Sequence, residues 1–343
     1  MTRPIIGQVE SGQRRSPGAP DPERNGQQAG TAPVPGTARI AVDLLGGDQA
    51  PAVVVDGALR ACQTDPALTL LLVGPVEAVG TVLAALPPDE HHRVRSLPGP
   101  YPRDTTRAAV HAVAEGLADA VVSAGDTGAI VTSAALAMGR WPGVRRPPLA
   151  AVLPSAAGRR LLLDVGSSVD PDERTLAMHA HLGSAYAASV HGVAAPRVGL
   201  LTIGTEPGKG DRLRRAAPEL LAGLDLPAGA RYVGLVEGDD VVSGAVADVV
   251  VTDGFSGNIL LKALEMAYAT IGAPGPGEPP PRAAVLLGVG GTVVVCHGAA
   301  SGRDIAAGIG LAANLHRRGA IPVIAGLIQG KEIPRTQEVV HEQ

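Results

Sequence analysis

The sequence is poor in aromatic residues and in cysteine. Only 2% of its 343 residues are aromatic, with one Trp and one Phe, so a core must be built from Val, Leu, Ile and Ala. Its two cysteines, Cys62 and Cys296, lie far apart and lack the spacing of metal ligands. We therefore expect two reduced, buried thiols, as is usual for a cytosolic protein.

Long apolar runs and blocks of one charge are also missing. No apolar run reaches the roughly 18 residues needed to cross a bilayer, and the N-terminus has no hydrophobic core of a signal peptide. These features predict a cytoplasmic protein. The net charge is −4 and no Lys/Arg block stands out, so binding of nucleic acid through a basic face is not expected.

Proline and glycine mark the segments of the chain. Residues 1–36 are polar, contain six prolines and six glycines, and offer little to bury, which predicts a disordered extension. Residues 37–320 are predicted to form one α/β domain, and residues 321–343 a C-terminal tail. Within the domain, residues 272–282 contain five prolines and three glycines, which predicts a linker or loop.

From Ala38 onward, short apolar runs alternate with helical patterns. Most runs are apolar throughout, as strands buried on both faces are. The alternation predicts βαβ units, a mostly parallel sheet and an α/β/α sandwich. The stretch from Ala283 to Cys296 contains three glycines, and we expect a helix end or loop that leads into the last strand. The predicted strands are Ile40–Leu44, Leu68–Val73, Ala120–Val122, Leu149–Leu153, Leu161–Asp164, Val198–Ile203, Tyr232–Leu235, Asp248–Val251 and Thr292–Val295.

Glycine and small polar residues follow six of these strands. In an open parallel sheet, ligands bind beyond the carboxyl ends of the strands. Glycine permits sharp turns and a close approach of the backbone, and the helix starts that follow attract anions. Six such loops at one edge predict a polar, phosphate-sized cleft, although glycines and caps also end strands in other α/β proteins. The candidate binding residues are Asp43, Gly46, Gly47, Asp48, Ser123, Gly125, Asp126, Thr127, Gly128, Asp164, Gly166, Gly210, Asp253, Gly254, Gly257 and Lys262.

Three common α/β motifs are absent from the sequence. No G-x-G-x-x-G opens the first helix and no G-x-x-x-x-G-K-[ST] occurs, which disfavours a Rossmann NAD enzyme and a P-loop NTPase. No G-x-S-x-G elbow occurs either, which disfavours an ordinary α/β-hydrolase. We expect no cofactor.

Six motifs in order resemble those of the bacterial acyl-ACP:phosphate acyltransferase (PlsX) family over roughly residues 38–318. The resemblance implies a Rossmann-like three-layer α/β/α sandwich, usually a homodimer. It implies transfer of a fatty acyl group from acyl carrier protein to phosphate, which feeds phospholipid synthesis. The motifs are Asp43-x-x-Gly46-Gly47-Asp48, Ser123–Ala129, Leu163–Gly166, Ile203–Gly210, Val236–Asp240 and Asp253–Asn258.

The chain departs from the family pattern in four places. Asp126 stands where the family usually has Asn, and Asp239 where it usually has Arg, so both changes add negative charge. A basic stretch of the family is reduced to Arg103–Arg107. The amphipathic hairpin that the family uses for membrane contact and for the dimer is replaced by residues 272–282, which argues against membrane attachment. These departures favour a divergent member.

Three residues are the predicted catalytic groups. Phosphate is already a nucleophile at neutral pH, so positioning and electrostatics should dominate the reaction. Lys209, in a glycine turn at a helix start, is assigned to phosphate or the oxyanion; the alternative is an exposed lysine. His297, at a strand end, is assigned as general acid for the thiolate; the alternative is a hydrogen bond to the backbone. Asn258 is assigned to the carbonyl oxygen; the alternative is a helix cap.

The remaining polar candidates support these three. Lys262 lies four residues after Asn258, on the same helix face. Four carboxylates at the predicted edge position Lys, Arg, water or a cation, or simply cap helices: Asp43, Asp48, Asp164 and Asp253. We expect no metal, although a divalent ion fits carboxylates in principle.

Three functions remain open at this level. The first is acyl transfer from acyl carrier protein to phosphate. The second is transfer from a carrier to another acceptor in secondary metabolism, which the added acidic residues favour. The third is a non-catalytic binding protein with the same fold, against which the retention of Lys209, Asn258 and His297 argues.

Overall fold

A computed structural model describes residues 36–97, 104–206, 208–274, 283–331 and 333. The predicted N-terminal extension, apart from residue 36, lies outside these ranges, as do most of the predicted linker and all but one of the residues after 331. The remaining chain forms one sheet with helices on both faces.

In the described residues, eleven strands form a single sheet in the order β3-β2-β1-β4-β11-β10-β5-β6-β9-β7-β8. Every predicted strand is present, and the sequence analysis missed two. The strands are β1 (Ala38–Asp43), β2 (Leu68–Val73), β3 (Val94–Ser96), β4 (Ala120–Ser123), β5 (Leu149–Ser155), β6 (Gly158–Leu163), β7 (Arg197–Leu201), β8 (Arg231–Val236), β9 (Val249–Val251), β10 (Ala283–Leu286) and β11 (Thr292–Cys296).

The described chain has ten α-helices, of which eight connect strands and two follow β11. They are α1 (Ala52–Thr64), α2 (Val76–Ala85), α3 (Thr105–Ala114), α4 (Thr127–Ala137), α5 (Glu173–His191), α6 (Arg212–Ala222), α7 (Gly238–Ser243), α8 (Gly254–Ile271), α9 (Gly302–Arg317) and α10 (Ala320–Ile328). Buried side chains of α1, α2, α5, α6, α9 and α10 share one apolar cluster with the sheet. Those of α3, α4, α7 and α8 share a second cluster on the other face. The predicted three-layer α/β/α sandwich is thereby confirmed.

The sheet contains two sets of parallel strands that run in opposite directions. Strands β3, β2, β1, β4 and β11 are mutually parallel, as are β6, β9, β7 and β8. Between the two sets, β10 pairs antiparallel with both β11 and β5, and β5 pairs antiparallel with β6. The carboxyl ends of the two sets therefore point to opposite edges, so the prediction that six strand ends meet at one edge is wrong.

The C-terminal helix α10 was not predicted. Ala320 and Ile324 of this helix are buried, and α10 packs against α5 and α9. Residues 321–328 thus belong to the packed domain, although the sequence analysis assigned them to a tail. Their apolar residues cover the central helix α5, in which thirteen consecutive residues are buried.

Candidate active site

The loops after β1 and β4 are held together by a buried carboxylate. Asp43 is 1% exposed, and its Oδ2 accepts hydrogen bonds from Ser123 Oγ (2.7 Å) and Thr106 Oγ1 (2.6 Å). Ser123 Oγ in turn accepts from the N–H of Gly125 at 3.0 Å. Asp43 and Ser123 therefore hold these loops in shape through buried hydrogen bonds. Neither residue lines the cleft described below.

Glycines let the loops after β1, β4 and β11 approach one another closely. A Cβ on Gly46 would lie 2.7 Å from the nitrogen of Gly125, closer than real Cβ atoms come. Gly47 has a φ of +110°, and the next residue, Asp48, donates its N–H to the carbonyl oxygen of Gly298 at 2.8 Å. The loops after β1, β4 and β11 thus form one continuous rim.

Asp164 plays the corresponding part after β6. It is fully buried, and its Oδ1 accepts from the N–H groups of Leu149, Gly166 and Ser167 at 3.0–3.1 Å. Its Oδ2 accepts from Ser167 Oγ at 2.9 Å and Ser168 N at 2.6 Å. Five donors satisfy this carboxylate, so it organises the loop and has no remaining capacity for a ligand.

Gly254 and Gly257 bring the start of α8 onto that loop. Gly254 donates its N–H to Ser168 O at 2.7 Å, and a Cβ on Gly257 would overlap the carbonyl oxygen of Asp164. Both glycines were predicted to bind phosphate. The structure uses them for helix packing, which places the next residue of α8, Asn258, against Gly166.

Asp253 belongs to a separate cluster. Asp253 caps α8 through Ser256 N (2.7 Å) and forms an ion pair with the buried Arg214. Burial alone would raise the pKa of Asp253, but the bonds from Ser256 and Arg214 lower it below its usual range. Gly210 packs on Arg214, and Lys209 is exposed in the same loop.

A cleft of about 1270 Å³ lies over the ends of β5, β10 and β11, beneath α8. Its apolar wall includes Leu149, Ala151, Leu153, Pro154, Val165, Leu261, Tyr268, Ala269, Ala283, Ala284 and Val295. Its polar groups include Asp48, Thr127, Asn258, Lys262, Glu265, His297, Ser301, Arg303 and Asp304. The cleft therefore joins an apolar slot to a polar end that contains both nitrogen donors and carboxylates, which suits a chain with a polar reacting end.

Lys262 and His297 form the contact at the centre of these polar groups. Lys262 Nζ contacts His297 Nε2, although the two residues come from α8 and from the end of β11. His297 Nδ1 accepts from the N–H of Ala299 at 3.2 Å. The ammonium group of Lys262 can only donate hydrogen bonds, so this pair places N–H donors beside an imidazole in the cleft.

Cys296 also lines the cleft, next to His297, but does not supply a nucleophile. Burial raises the pKa of this thiol to about 12, and Asp304 contributes in the same direction. Since the thiolate is the reactive form, Cys296 stays inert at neutral pH. Both cysteines are buried and free, as predicted.

The structure brings together only part of the predicted site. The predicted residues that line the cleft are Asp48, Gly125, Thr127, Gly166, Asn258, Lys262 and His297. Asp126 is adjacent, as the cap that accepts from Ala129 N at 2.8 Å, and Gly128 follows in the first turn of α4. Lys209 and Gly210 do not line the cleft: they follow β7, which lies two strands beyond β6, whereas the loops after β6 and β9 reach the cleft through Gly166 and Asn258.

Sequence analysis missed Glu265, Tyr268 and Arg303, all of which line the cleft. Asn258, Lys262, Glu265 and Tyr268 follow the i, i+3, i+4 spacing of one helix face. Continuing the spacing of Asn258 and Lys262 along α8 would therefore have identified Glu265 and Tyr268. In the described part of the chain, no group of three or more His, Cys, Asp or Glu side chains is arranged to hold a metal ion.

The fold places the chain in the class of α/β proteins that includes phosphotransacetylases. A phosphotransacetylase from Streptococcus pyogenes matches with a TM-score of 0.61 and 19% identity, covering 83% of this chain and 94% of that one. EutD phosphotransacetylase from Staphylococcus aureus matches with a TM-score of 0.58 and 16% identity, covering 85% and 96%. At these identities the likeness establishes the fold alone.

Sequence comparison identifies the family. The model of the family described as "Fatty acid synthesis protein" matches residues 38–99 and 102–273, and the chain belongs to this family. A phosphate acyltransferase from Thermobifida fusca is 39% identical over 320 residues, covering 80% of this chain and 87% of the relative. One from Brevibacillus brevis is 44% identical over 246 residues, covering 68% and 72%. The family membership inferred from the motifs is thereby confirmed.

Proposed function

We propose that this protein transfers a fatty acyl group from the thioester of acyl carrier protein to inorganic phosphate. The observation that carries the proposal is the contact between Lys262 and His297 above an apolar slot. Membership of a family whose relatives are named phosphate acyltransferases supports it. The products are an acyl phosphate and the free thiol of the carrier.

The reaction needs charge stabilisation and one proton. A phosphate oxygen attacks the thioester carbon, the carbonyl oxygen becomes an oxyanion, and the C–S bond then breaks to give a thiolate. Lys262 stabilises the oxyanion, and Asn258, one turn earlier on α8, donates a further hydrogen bond. His297 supplies the proton that the thiolate takes up and recovers one from solvent.

We assign the acceptor phosphate to the first turn of α4, where Thr127 lines the same cleft as Lys262. The first N–H groups of a helix have no partner within the helix and favour an anion. Asp126 works against this, because its carboxylate caps the same turn. The second function, transfer to an acceptor other than phosphate, is favoured by this charge and by Asp48 in the cleft.

Asp126→Asn is expected to lower the KM for phosphate by roughly three- to tenfold, since it removes a negative charge near the dianion. Asn caps a helix about as well as Asp, so the fold should be unchanged. Initial rates over a phosphate titration provide the measurement. Asp104→Asn, the same exchange at the cap of α3, is the control. An unchanged KM would place phosphate elsewhere.

The acyl chain is assigned to the apolar part of the cleft, where Tyr268 ties α8 to β5. Its hydroxyl donates to Pro154 O at 3.2 Å, and the small residues Gly272 and Ala273 follow it along the cleft. Tyr268 is ~9 Å beyond Lys262 along the helix axis. We propose that the ring of Tyr268 narrows the slot at a distance from Lys262 that a medium-length acyl chain reaches.

Tyr268→Ala is expected to favour longer acyl donors, raising the ratio of kcat/KM for long over short chains by about tenfold. Tyr268→Phe keeps the ring and removes only the hydroxyl, so its chain-length profile should match that of the unmodified protein. A series of acyl donors of increasing length supplies the measurement. The same profile in Tyr268→Ala would show that the chain lies elsewhere.

The direct test of the function is formation of acyl phosphate, trapped with hydroxylamine, from acyl carrier protein and phosphate. Consumption of the donor only when another acceptor is added would support the second function. A protein that neither consumes nor binds the donor would refute both. Omission of phosphate is the control.

We also propose a homodimer in the cytoplasm. An exposed apolar stripe along α8, made by Phe255, Ile259 and Met266, supports the dimer. In the described residues, no helix has the length and apolar character to cross a bilayer. Peripheral membrane contact is not part of the proposal.

A further inference from the structure

Glu265 places a carboxylate in the wall of the slot that is assigned to the acyl chain. It lines the cleft on α8, three residues after Lys262 and three before Tyr268, and it is half-buried. Because the acyl chain is assigned to the stretch of α8 from Lys262 to Tyr268, the chain has to pass Glu265. The proposed function therefore puts an acidic group beside the substrate, and it gives this group no role.

The carboxylate of Glu265 has no hydrogen-bond partner and no cation within salt-bridge distance in the part of the chain that the structure describes. The donors one turn away on α8 are engaged elsewhere. Lys262 contacts His297, and the hydroxyl of Tyr268 donates to Pro154 O at 3.2 Å. The hydrogen-bonding capacity of Glu265 is therefore left for water or for a ligand.

The strands in this part of the cleft offer no side-chain donor that could satisfy the carboxylate. Arg303, on α9, also lines the cleft, but it makes no ion pair with Glu265 in the described residues. An unsubstituted alkyl chain that fills the slot would displace water from the carboxylate without replacing its hydrogen bonds, whereas a hydroxyl on the chain would donate to it. The cleft-lining residues of β5 and β10 here are Ala151, Val152, Leu153, Pro154, Ala283 and Ala284.

The spacing along α8 indicates which carbon of the acyl chain lies beside Glu265. Glu265 is ~4.5 Å beyond Lys262 along the helix axis. Lys262 is assigned to the carbonyl oxygen, so this distance is counted from the carbonyl carbon. The β-carbon lies two C–C bonds of ~1.5 Å each beyond that carbon, and an O–H···O hydrogen bond adds ~2.7 Å. A hydroxyl on the β-carbon therefore reaches the carboxylate of Glu265.

We propose that Glu265 selects acyl groups with a hydroxyl on the β-carbon, so that the donor is a β-hydroxyacyl thioester. The inference rests on the proposed function and narrows its substrate class. The hydroxyl donates to the carboxylate of Glu265, the carbonyl oxygen lies at Lys262, and the rest of the chain continues toward Tyr268. The transfer itself is unchanged, because phosphate attacks the thioester carbon and the hydroxyl stays in the product, a β-hydroxyacyl phosphate.

The test compares two donors of equal chain length on the same acyl carrier protein, one β-hydroxyacyl and one unsubstituted. The unmodified protein is expected to show a kcat/KM about tenfold higher for the β-hydroxyacyl donor, which is the usual effect of one hydrogen bond to a charged group. Glu265→Leu removes the acceptor and should bring the ratio to about one. Glu265→Gln keeps an acceptor oxygen and should retain part of the preference. Trapping with hydroxylamine gives products that differ by one oxygen and are counted separately.

Glu219→Leu, the same exchange at an exposed position of α6 that does not line the cleft, is the control and should keep the ratio of the unmodified protein. Equal kcat/KM for the two donors in the unmodified protein overturns the proposal. An equal loss with both donors in Glu265→Leu also overturns it, since Glu265 would then act on Lys262 and not on the acyl chain. A preference that survives in Glu265→Leu places recognition of the hydroxyl elsewhere.

Failure of the proposed function is a separate result. If neither donor gives acyl phosphate, calorimetry with β-hydroxyacyl-pantetheine and acyl-pantetheine tests the slot without the reaction. The unmodified protein should then bind the hydroxylated probe more tightly, and Glu265→Leu should bind the two equally. Equal binding of the two probes by the unmodified protein overturns the inference. If Glu265→Leu does not fold, Glu265→Gln decides, and a preference as large as that of the unmodified protein counts against a role of the charge.

Discussion

Lys262→Met is expected to lower kcat for acyl transfer by about 10²–10³-fold, the usual cost of removing one donor to a developing oxyanion. Lys262 is the cation in contact with His297, and both line the cleft. Its side chain is exposed, so the loss should leave the free energy of unfolding within about 0.5 kcal/mol. Formation of trapped acyl hydroxamate, together with urea unfolding, provides the measurement.

Matched variants separate the role of Lys262 from a general effect of charge. Lys331→Met removes a half-buried lysine that pairs with Asp225, away from the cleft, and should keep the activity. His297→Gln should lose activity alone, and the double variant with Lys262→Met should lose less than the product of the two losses, since the groups act as a unit. Full activity in Lys262→Met would contradict the role that the proposed function gives to the contact between Lys262 and His297.

Nine of the eleven strands in the described residues could be predicted from the sequence, but their order and directions in the sheet could not. Nine apolar runs predicted nine strands, because buried strands are apolar throughout. A two-residue turn, Ala156-Ala157, joins β5 to β6, with Ser155 paired to Gly158. Such a short connection makes an antiparallel hairpin. It reverses the strands from β6 to β10, and β11 runs again in the direction of β5. Lys209 follows β7, a reversed strand that lies five positions from β11 in the sheet, so it is not beside His297.

Strand β10, which the sequence analysis did not predict, has a weak strand pattern in its sequence. Its four residues, Ala283–Leu286, are followed by Gly288, Gly290 and Gly291, which resemble a loop. The structure shows why these glycines are needed, because a Cβ on Gly290 would meet the carbonyl oxygen of Met138. Local composition cannot report a contact with a residue 152 positions away.

Glycine residues after the strands have two different roles in the structure. Gly125 and Gly166 line the cleft, whereas Gly254 and Gly257 allow a helix to pack on backbone. Both uses require the absence of a Cβ, so the sequence alone does not separate them. Polar residues repeated along one face of α8 predicted the cleft better, because their spacing shows which face of the helix lines it.

Histidines in the central helix predict a strong loss of stability in acid. His181 is 1% exposed, neither ring nitrogen has a partner, and burial, followed by Lys331, lowers its pKa to about 4 despite Asp225. Burial, followed by Arg159 and Arg318, lowers the pKa of His191 to about 4.

The sign follows from the difference between the folded and unfolded chains. An unfolded histidine has a pKa of about 6.5, so between pH 6.5 and 4 the unfolded state binds more protons. The contribution of each neutral histidine is therefore complete above pH 6.5 and decreases as the pH falls. At pH 5, His181 and His191 should each lower the free energy of unfolding by about 2 kcal/mol relative to pH 7.5.

Urea unfolding at pH 7.5 and pH 5 measures this loss. His181→Leu removes one titrating group at a site without hydrogen bonds, and should reduce the difference between the two pH values by about 2 kcal/mol. His92→Leu, at an exposed position, should leave the difference as it is in the unmodified protein. If His181→Leu keeps the full acid sensitivity, the proton uptake occurs elsewhere, and His181 must already be charged or solvated in the folded protein.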